Sequence, residues 1–309
     1  MTKYDPAHRD ERGHYIGSED TDSDHGPVEA AYLDAVAAFA EDTGVDCLQI
    51  REPSAAPGVG LDTHAPAEAL VGLFGAELDG YHDGAQVRLD HALELVRLML
   101  GGDGGWCRLE AGEDFFIHVG WDQYVYVGSS VDCRRAVSFT RERGLFAEPI
   151  PGSPYDPEAT EDDTDVRPAD AAFWAELTEL VERHGAALLE EGYLHNASRW
   201  HRLTTSTVAT IRDKLTPRAR LLVWPDLSTD VPAVLYSLPD EGLVEVVWQD
   251  RAGRITSHLI DESDQPALRA RLADAHAATA LSAYADERRP LLAAVLPDPD
   301  GVLRARWSP

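Results

Sequence analysis

Aromatic and imidazole side chains are concentrated in one short stretch of the first half of the chain. Within about a dozen residues it holds Phe115, Phe116, His118, Trp121, Tyr124 and Tyr126. Aromatic rings on an exposed sheet face can stack unpaired bases, at roughly 1–3 kcal/mol per base. We therefore take Phe116, His118, Trp121, Tyr124 and Tyr126 as candidate binding residues.

The turn between two predicted strands decides which of these rings share a face. With a three-residue turn, one face carries Phe116, His118, Tyr124 and Tyr126, and the other carries Phe115, Ile117, Val125 and Val127. With a two-residue turn, Tyr124 and Tyr126 join the side of Phe115 and become core. Aromatic residues favour strands for packing reasons alone, which favours the core interpretation.

Arginines follow this stretch on a predicted helix. Arg134, Arg135, Arg141 and Arg143 fall on adjoining helical faces, so they are the best local cationic patch for RNA. An ordinary solvated helix face is the alternative. Arg134, Arg135 and Arg141 complete the set of candidate binding residues.

Other clusters carry less specific signals. In the second half, Arg199, Trp200, His201 and Arg202 favour a buried tryptophan flanked by surface cations, with an anion or partner contact as the alternative. His195 is six residues from His201 and does not share its helical face. Near the start, several His and acidic side chains predict at best weak cation binding: His8, His14, His25, Asp10, Glu11, Asp20 and Asp24.

Established catalytic signatures are absent from the sequence. It holds no phosphate-binding G-x-x-x-x-G-K-[ST], no G-x-G-x-x-G, no H-E-x-x-H and no G-x-S-x-G. The acidic repeat at Asp20, Asp22 and Asp24 lacks the glycine and the final carboxylate that a calcium loop needs. We predict a non-enzymatic protein with no catalytic residue, no metal and no cofactor. An enzyme of unrecognised type is a third alternative, because pairs of catalytic carboxylates follow no spacing rule in sequence.

The charge balance limits the partners. The chain has 27 Lys and Arg against 55 Asp and Glu, a net charge of −28. A surface of this sign repels phosphate backbones and anionic lipid and attracts basic proteins or cations. No signal peptide pattern and no long apolar run occurs, and the three cysteines are widely spaced, so we expect a soluble, cytoplasmic protein with reduced thiols.

Periodicity divides the chain into four parts. We predict a polar N-terminal arm over 1–26, an α+β domain over 27–148, an acidic, Pro-rich linker over 149–168 and a second α+β domain over 169–309. Strands grouped together with helices grouped around them favour α+β, with an antiparallel meander flanked by helices in each domain.

Elements of the first domain are predicted as follows. Helices cover 27–44, 89–101 and 131–143, the last with Ser130 as N-cap; strands cover 45–50, 106–110, 115–119 and 124–127; and 52–87 is irregular.

Elements of the second domain are predicted in the same way. Helices cover 170–185, 205–215 and 265–285, the first capped by Asp170; strands cover 219–224, 233–237, 243–249, 255–260, 293–296 and 302–307.

Several segments of roughly the first 155 residues carry a family resemblance. They are Lys3-Tyr4-Asp5-Pro6, Arg9-Asp10-Glu11-Arg12-Gly13, Ser23-Asp24-His25-Gly26-Pro27-Val28-Glu29-Ala30-Ala31-Tyr32, Gly80-Tyr81-His82-Asp83-Gly84, Trp106-Cys107-Arg108-Leu109-Glu110 and His118-Val119-Gly120-Trp121-Asp122-Gln123-Tyr124-Val125-Tyr126-Val127-Gly128. These segments resemble an uncharacterised actinobacterial family whose members are often labelled RNA-binding proteins. The resemblance implies RNA association and supplies no site residues.

Two functions are therefore predicted for a two-domain binding protein. One is RNA association through the aromatic strands and the arginine helix. The other is an acidic module that docks on a basic protein, as an immunity-like inhibitor or nucleic-acid mimic does. The expected partner is RNA or a basic protein, and we expect neither DNA nor a membrane as a partner.

Overall fold

The fold is α+β, and every strand pair within its three sheets is antiparallel. The computed structural model describes residues 1–18, 25–55, 68–121, 123–155 and 167–307. These residues form two compact units, the first within 1–155 and the second within 167–307. Most of the predicted linker, 156–166, lies outside the described residues, as do Asp20, Asp22 and Asp24.

The first unit is a five-stranded sheet with helices against one face. Its elements are α1 (Pro27–Thr43), β1 (Cys47–Ala55), α2 (Glu68–Phe74), β2 (Gln86–Arg88), α3 (Leu89–Gly101), β3 (Gly105–Ala111), β4 (Phe115–Val119), β5 (Val125–Ser129) and α4 (Arg134–Glu142). The sheet order is β2-β1-β3-β4-β5, so β5 is an edge strand.

Helix α1 has sequence-encoded ends. Pro27 occupies the first turn, where a missing N–H costs nothing, and Gly44 ends the helix in the left-handed conformation at φ 78°. Contacts of α1 and α3 with the sheet cover its apolar face, on which Ile50, Leu109 and Ile117 are fully buried. The predicted three-strand meander is confirmed as β3, β4 and β5.

The second unit has two sheets and the helices α5–α8. Its elements are α5 (Ala171–His184), β6 (Ala187–Leu194), β7 (Ala197–Leu203), α6 (Val208–Arg212), β8 (Arg220–Pro225), α7 (Val231–Tyr236), β9 (Val244–Gln249), β10 (Ile255–Ile260), α8 (Gln265–Arg271), β11 (Ala277–Ser282) and β12 (Leu292–Val295). The sheet orders are β12-β8-β6-β7 and β10-β9-β11.

Three apolar clusters arrange the second unit in four layers. One cluster joins α5 and α6 to the β6-containing sheet, a second joins the two sheets, and a third joins β9–β11 to α7 and α8. Alternation along β6 explains this: Leu189 faces the helices and Leu188 faces the other sheet. A sheet buried on both faces can hold charged side chains only if they are paired.

Several element predictions are wrong. The segment predicted as a strand over 233–237 is α7, because Asp230 caps the Ala233 N–H and Pro232 suits a first turn. The predicted helix over 265–285 ends at Arg271, and its alanines form β11 paired with β9. Helix α4 begins at Arg134 with Cys133 at its N-cap position, so the predicted Ser130 cap is wrong.

Other differences are two strands and two short elements that the sequence did not predict, and one predicted strand that does not form. Strands β6 and β7 were not predicted, the 52–87 excursion contains α2 and β2, and 302–307 forms no strand. Within the described residues, no helix is long and apolar enough to cross a membrane.

Candidate binding cleft at the edge of the first sheet

Strands β4 and β5 adopt the register of a three-residue turn. His118 lies opposite Tyr126, and Val119 lies opposite Val125. Gln123, 2% exposed, takes a left-handed conformation at φ 62°, which suits a reversal of the chain between β4 and β5. Phe116, His118 and Tyr126 therefore share the sheet face that turns away from the helices, whereas Phe115 and Ile117 are core.

Residues of the same unit cover much of this aromatic face. The ring of Tyr155 lies 5.8 Å from that of Tyr126, and Tyr4 lies 5.9 Å from Tyr124. His118 is 3% exposed, stacks on Phe116 at 4.5 Å and has its Nδ1 2.9 Å from the Ser153 hydroxyl. Phe116 and His118 are thus packed by their own unit.

Trp121 is placed differently from the other predicted aromatic residues. It is 77% exposed in the β4–β5 turn, and its main-chain N–H donates to the Tyr155 hydroxyl at 3.4 Å. Its indole is available to a partner.

Carboxylates neutralise most of the predicted arginine patch. Arg134 pairs with Asp132 at 2.6 Å, and Arg143 pairs with Asp34 of α1 at 2.6 Å. Arg135 is held at 2.7 Å by Asp42, and hydrogen bonding to Asp42 and Glu41 raises the pKa of this arginine.

Arg141 differs from these three arginines. Its guanidinium donates to the Ala147 carbonyl at 3.2 Å, and within the described residues it pairs with no carboxylate. It is exposed on the last turn of α4.

A cleft of about 490 Å³ brings Arg141 together with two of the predicted tyrosines. Tyr124 and Tyr126 contribute to its lining from the sheet. Apolar side chains complete much of the remaining wall: Phe39, Val137, Phe146 and Ile150. Three of the eight predicted binding residues therefore line one site: Tyr124, Tyr126 and Arg141.

The outer edge of β5 runs through this cleft. Gly120 donates to the Tyr124 carbonyl at 2.7 Å, so in the alternating antiparallel pattern Tyr126 and Gly128 bond to β4. Val125 and Val127 then point their main-chain groups outward. Val125 exchanges both hydrogen bonds with Met1, at 2.9 and 2.6 Å.

Val127 has the same outward orientation as Val125 and contributes to the cleft lining. None of the described residues forms a hydrogen bond to its N–H or C=O at this edge. A strand edge inside a partly apolar cleft can pair with one further extended chain.

Charged groups at one end of the cleft fix its electrostatics. Thr2 pairs with Phe146 beside Met1, and Arg9 binds Glu148 in a bidentate pair at 2.7 and 3.2 Å. Hydrogen bonds to Glu148 and to Tyr124 raise the pKa of Arg9. Met1 also lines the cleft, and burial lowers the pKa of its amino group to about 6. Because Arg9 is neutralised by Glu148, Arg141 is therefore the cation that remains to meet a ligand near neutral pH among the described lining residues.

Sequence reasoning missed the part of the cleft formed by the N-terminal segment. Tyr4 is 6% exposed, and its ring lies 4.9 Å from that of Tyr15. Two tyrosines in an otherwise polar segment are the signal that it packs on a domain. Nothing in the spacing of Thr2, Arg9 or Glu148 indicates that they meet.

In the second unit, side chains of the cluster over 199–202 are held in place by acidic partners. Trp200 is 8% exposed, in agreement with the buried-tryptophan interpretation, and Arg202 binds Asp226 in a bidentate pair. His201 Nε2 lies 2.6 Å from the buried Glu191 carboxylate. Among the described residues, no group of three or more His, Cys, Asp or Glu side chains is placed to hold a metal ion.

No protein-family model, curated protein or solved structure matches the chain. The resemblance to an RNA-binding family therefore stays a prediction.

Proposed function

We propose that this protein is a non-enzymatic binding module that adds an extended segment of a partner protein to the edge of β5. The observation that carries the proposal is the outward main chain of Val127 inside the 490 Å³ cleft. Main-chain hydrogen bonds would provide affinity, and the apolar walls would accept alternate side chains.

The Met1–Val125 pair supports this mode of binding because it is already an added strand residue on the same edge. Its reciprocal bonds are antiparallel. Residues of α1, α4 and the 146–150 segment form walls that flank this edge.

Charge favours a protein over a nucleic acid as the partner. Residues 1–166 carry 11 Lys and Arg against 34 Asp and Glu, a net charge of −23. Phosphate backbones are repelled by such a unit, whereas a basic protein is attracted.

RNA is the second candidate, and one observation favours it. Tyr124, Tyr126 and Arg141 line the same cleft, so a base and a phosphate could find partners there. The partial cover of Tyr124 by Tyr4 and of Tyr126 by Tyr155 makes RNA the weaker proposal.

Val127→Pro tests strand addition. Proline removes the outward N–H without removing a bond to β4, and edge strands tolerate it. Peptides selected from a displayed random library on the wild-type protein should bind this variant at least about tenfold more weakly, whereas Arg134→Ala should bind normally.

Peptides methylated at alternate main-chain amides provide a second measurement that needs no protein variant. In an added strand, every second main-chain N–H bonds to β5 and the others point away from it. Strand addition therefore predicts that methylation of one alternate set of amides abolishes binding, and that methylation of the other set does not. Equal binding by all methylated forms would refute strand addition. Tight binding of labelled oligouridylate by a protein that selects no peptide would refute it as well.

A further inference from the structure

We propose that the Arg141 guanidinium captures the C-terminal carboxylate of the added segment. This inference rests on the proposed strand addition and specifies which part of the partner enters the cleft. The site would then recognise the end of a protein chain.

The direction of the segment follows from the pair already present. Met1 bonds antiparallel to Val125, and the Val127 position continues along the same edge on the amino side of Met1. A partner segment that runs antiparallel to β5, as Met1 does, passes Val127 first and then approaches Val125. Its carboxyl end therefore lies next to Met1.

Arg141 lies at that same end of the cleft. Thr2 pairs with Phe146, and the Arg141 guanidinium donates to the carbonyl of Ala147, the next residue. The carboxyl end of the segment and the guanidinium therefore converge beside the Thr2–Phe146 pair.

The chemistry of Arg141 suits a carboxylate. A guanidinium presents a planar fork of donors that binds both carboxylate oxygens. The nearby Arg9 is committed to Glu148, while Arg141 has a carbonyl as its partner and is exposed to an incoming anion.

A chain end also reconciles this cation with the acidic unit around it. An internal acidic residue would make the partner segment more negative and would oppose its approach to residues 1–166, whose net charge is −23. A basic segment can still supply one carboxylate at its terminus.

The test uses one selected peptide synthesised with a free C-terminal carboxylate and with a C-terminal amide. Fluorescence anisotropy would give the Kd of both forms for the wild-type protein, Arg141→Ala and Arg134→Ala. Arg134 lies on the same helix and already pairs with Asp132, so Arg134→Ala is the matched control.

We expect the amide to bind the wild-type protein at least about tenfold more weakly than the acid. The same ratio should hold for Arg134→Ala and should fall to about one for Arg141→Ala. A third peptide, amidated but carrying an internal Glu, should bind as weakly as the plain amide.

Outcomes separate this inference from the proposed function. Equal binding of acid and amide, with binding still lost in Val127→Pro, overturns carboxylate capture and leaves strand addition intact. Binding unaffected by Val127→Pro overturns both. Tight, Arg141-dependent binding of the amidated Glu peptide also overturns capture of a chain end.

Discussion

Tyr32 connects α1 to two segments that shape the cleft. Its hydroxyl donates to the Gln123 carbonyl at 2.7 Å and accepts from the Lys3 N–H at 2.7 Å, and the side chain is fully buried. Burial is the main cause that raises the pKa of Tyr32, so the hydroxyl stays protonated. The N-terminal segment and the β4–β5 turn are thereby held together.

Tyr32→Phe should lower the free energy of unfolding by about 1–3 kcal/mol, because one buried and one partly buried hydrogen bond lose their shared hydroxyl. Chemical denaturation followed by circular dichroism measures this. Tyr236→Phe, at a side chain that is 91% exposed, should leave stability unchanged. Equal stability of the two variants would show that Tyr32 does not connect these segments.

Glu191 makes the second unit sensitive to acid. Burial of this carboxylate acts to raise its pKa, but hydrogen bonds from His201 and Thr216 outweigh burial and lower the pKa below 4.5. A depressed folded-state pKa stabilises the fold above the unfolded pKa, and that stabilisation is lost as pH falls through the folded value.

The stability difference between wild type and Glu191→Gln should therefore shrink as pH falls from about 7 to about 3. Glu245 is the matched control of opposite sign, because burial and the nearby Glu190 raise its pKa. Relative to Glu245→Gln, the wild-type protein should lose stability as pH rises above about 4.5. Parallel pH profiles for both variants would contradict this assignment.

At the scale of elements, capping residues and turn residues predict where helices and strands end better than residue patterns predict which of the two forms between those ends. Asp170 caps helix α5 as predicted, because its carboxylate accepts from the Ala172 and Phe173 N–H groups at 3.0 Å. Glycine turns and alternation likewise identify β3–β5.

Asp170→Ala should destabilise the second unit by about 1 kcal/mol, the usual cost of losing an N-cap. Asp170→Asn keeps a side-chain acceptor and should recover most of that loss. Urea unfolding monitored by tryptophan fluorescence gives both values. An alanine variant as stable as wild type would mean that the cap contributes nothing here.

Where the element predictions are wrong, tertiary packing outweighs the local propensity of the residues. The alanines of β11 have high helix propensity, yet Ala277 is buried between the two sheets and Ala278 is buried against α7 and α8. The sequence pattern does not indicate strand β6, because Glu190 and Glu191 interrupt its apolar residues. Both are buried on opposite faces, paired with Arg288 and His201 respectively.

The same limit applies to the cleft. Tyr124, Tyr126 and Arg141 were predicted from residue type, and each lies on an element of the first unit. Their convergence with Thr2 and Phe146 depends on a pairing between residues 144 positions apart, which no local pattern encodes.

At the scale of the whole molecule, charge is unevenly distributed along the chain. Residues 167–309 carry 16 Lys and Arg against 21 Asp and Glu, a net charge of −5, so most of the negative charge belongs to the first 166 residues. The field that steers a basic partner is thus set mainly by the half that contains the cleft.

Three lysines added to the amino side of a selected peptide should therefore speed its association. Stopped-flow anisotropy should show a gain at about 0.01 M salt that disappears at about 1 M, where screening acts within about 3 Å. A gain that is independent of salt would mean that local contacts, and not the charge of the unit, set the rate.

Amide hydrogen exchange at Val127 tests strand addition most directly, measured by NMR with and without a selected peptide. We expect the outward Val127 N–H to become protected when the peptide binds, while Tyr126 and Gly128, already bonded to β4, change little. Peptide binding that leaves the exchange rate of the Val127 N–H unchanged would contradict strand addition at β5.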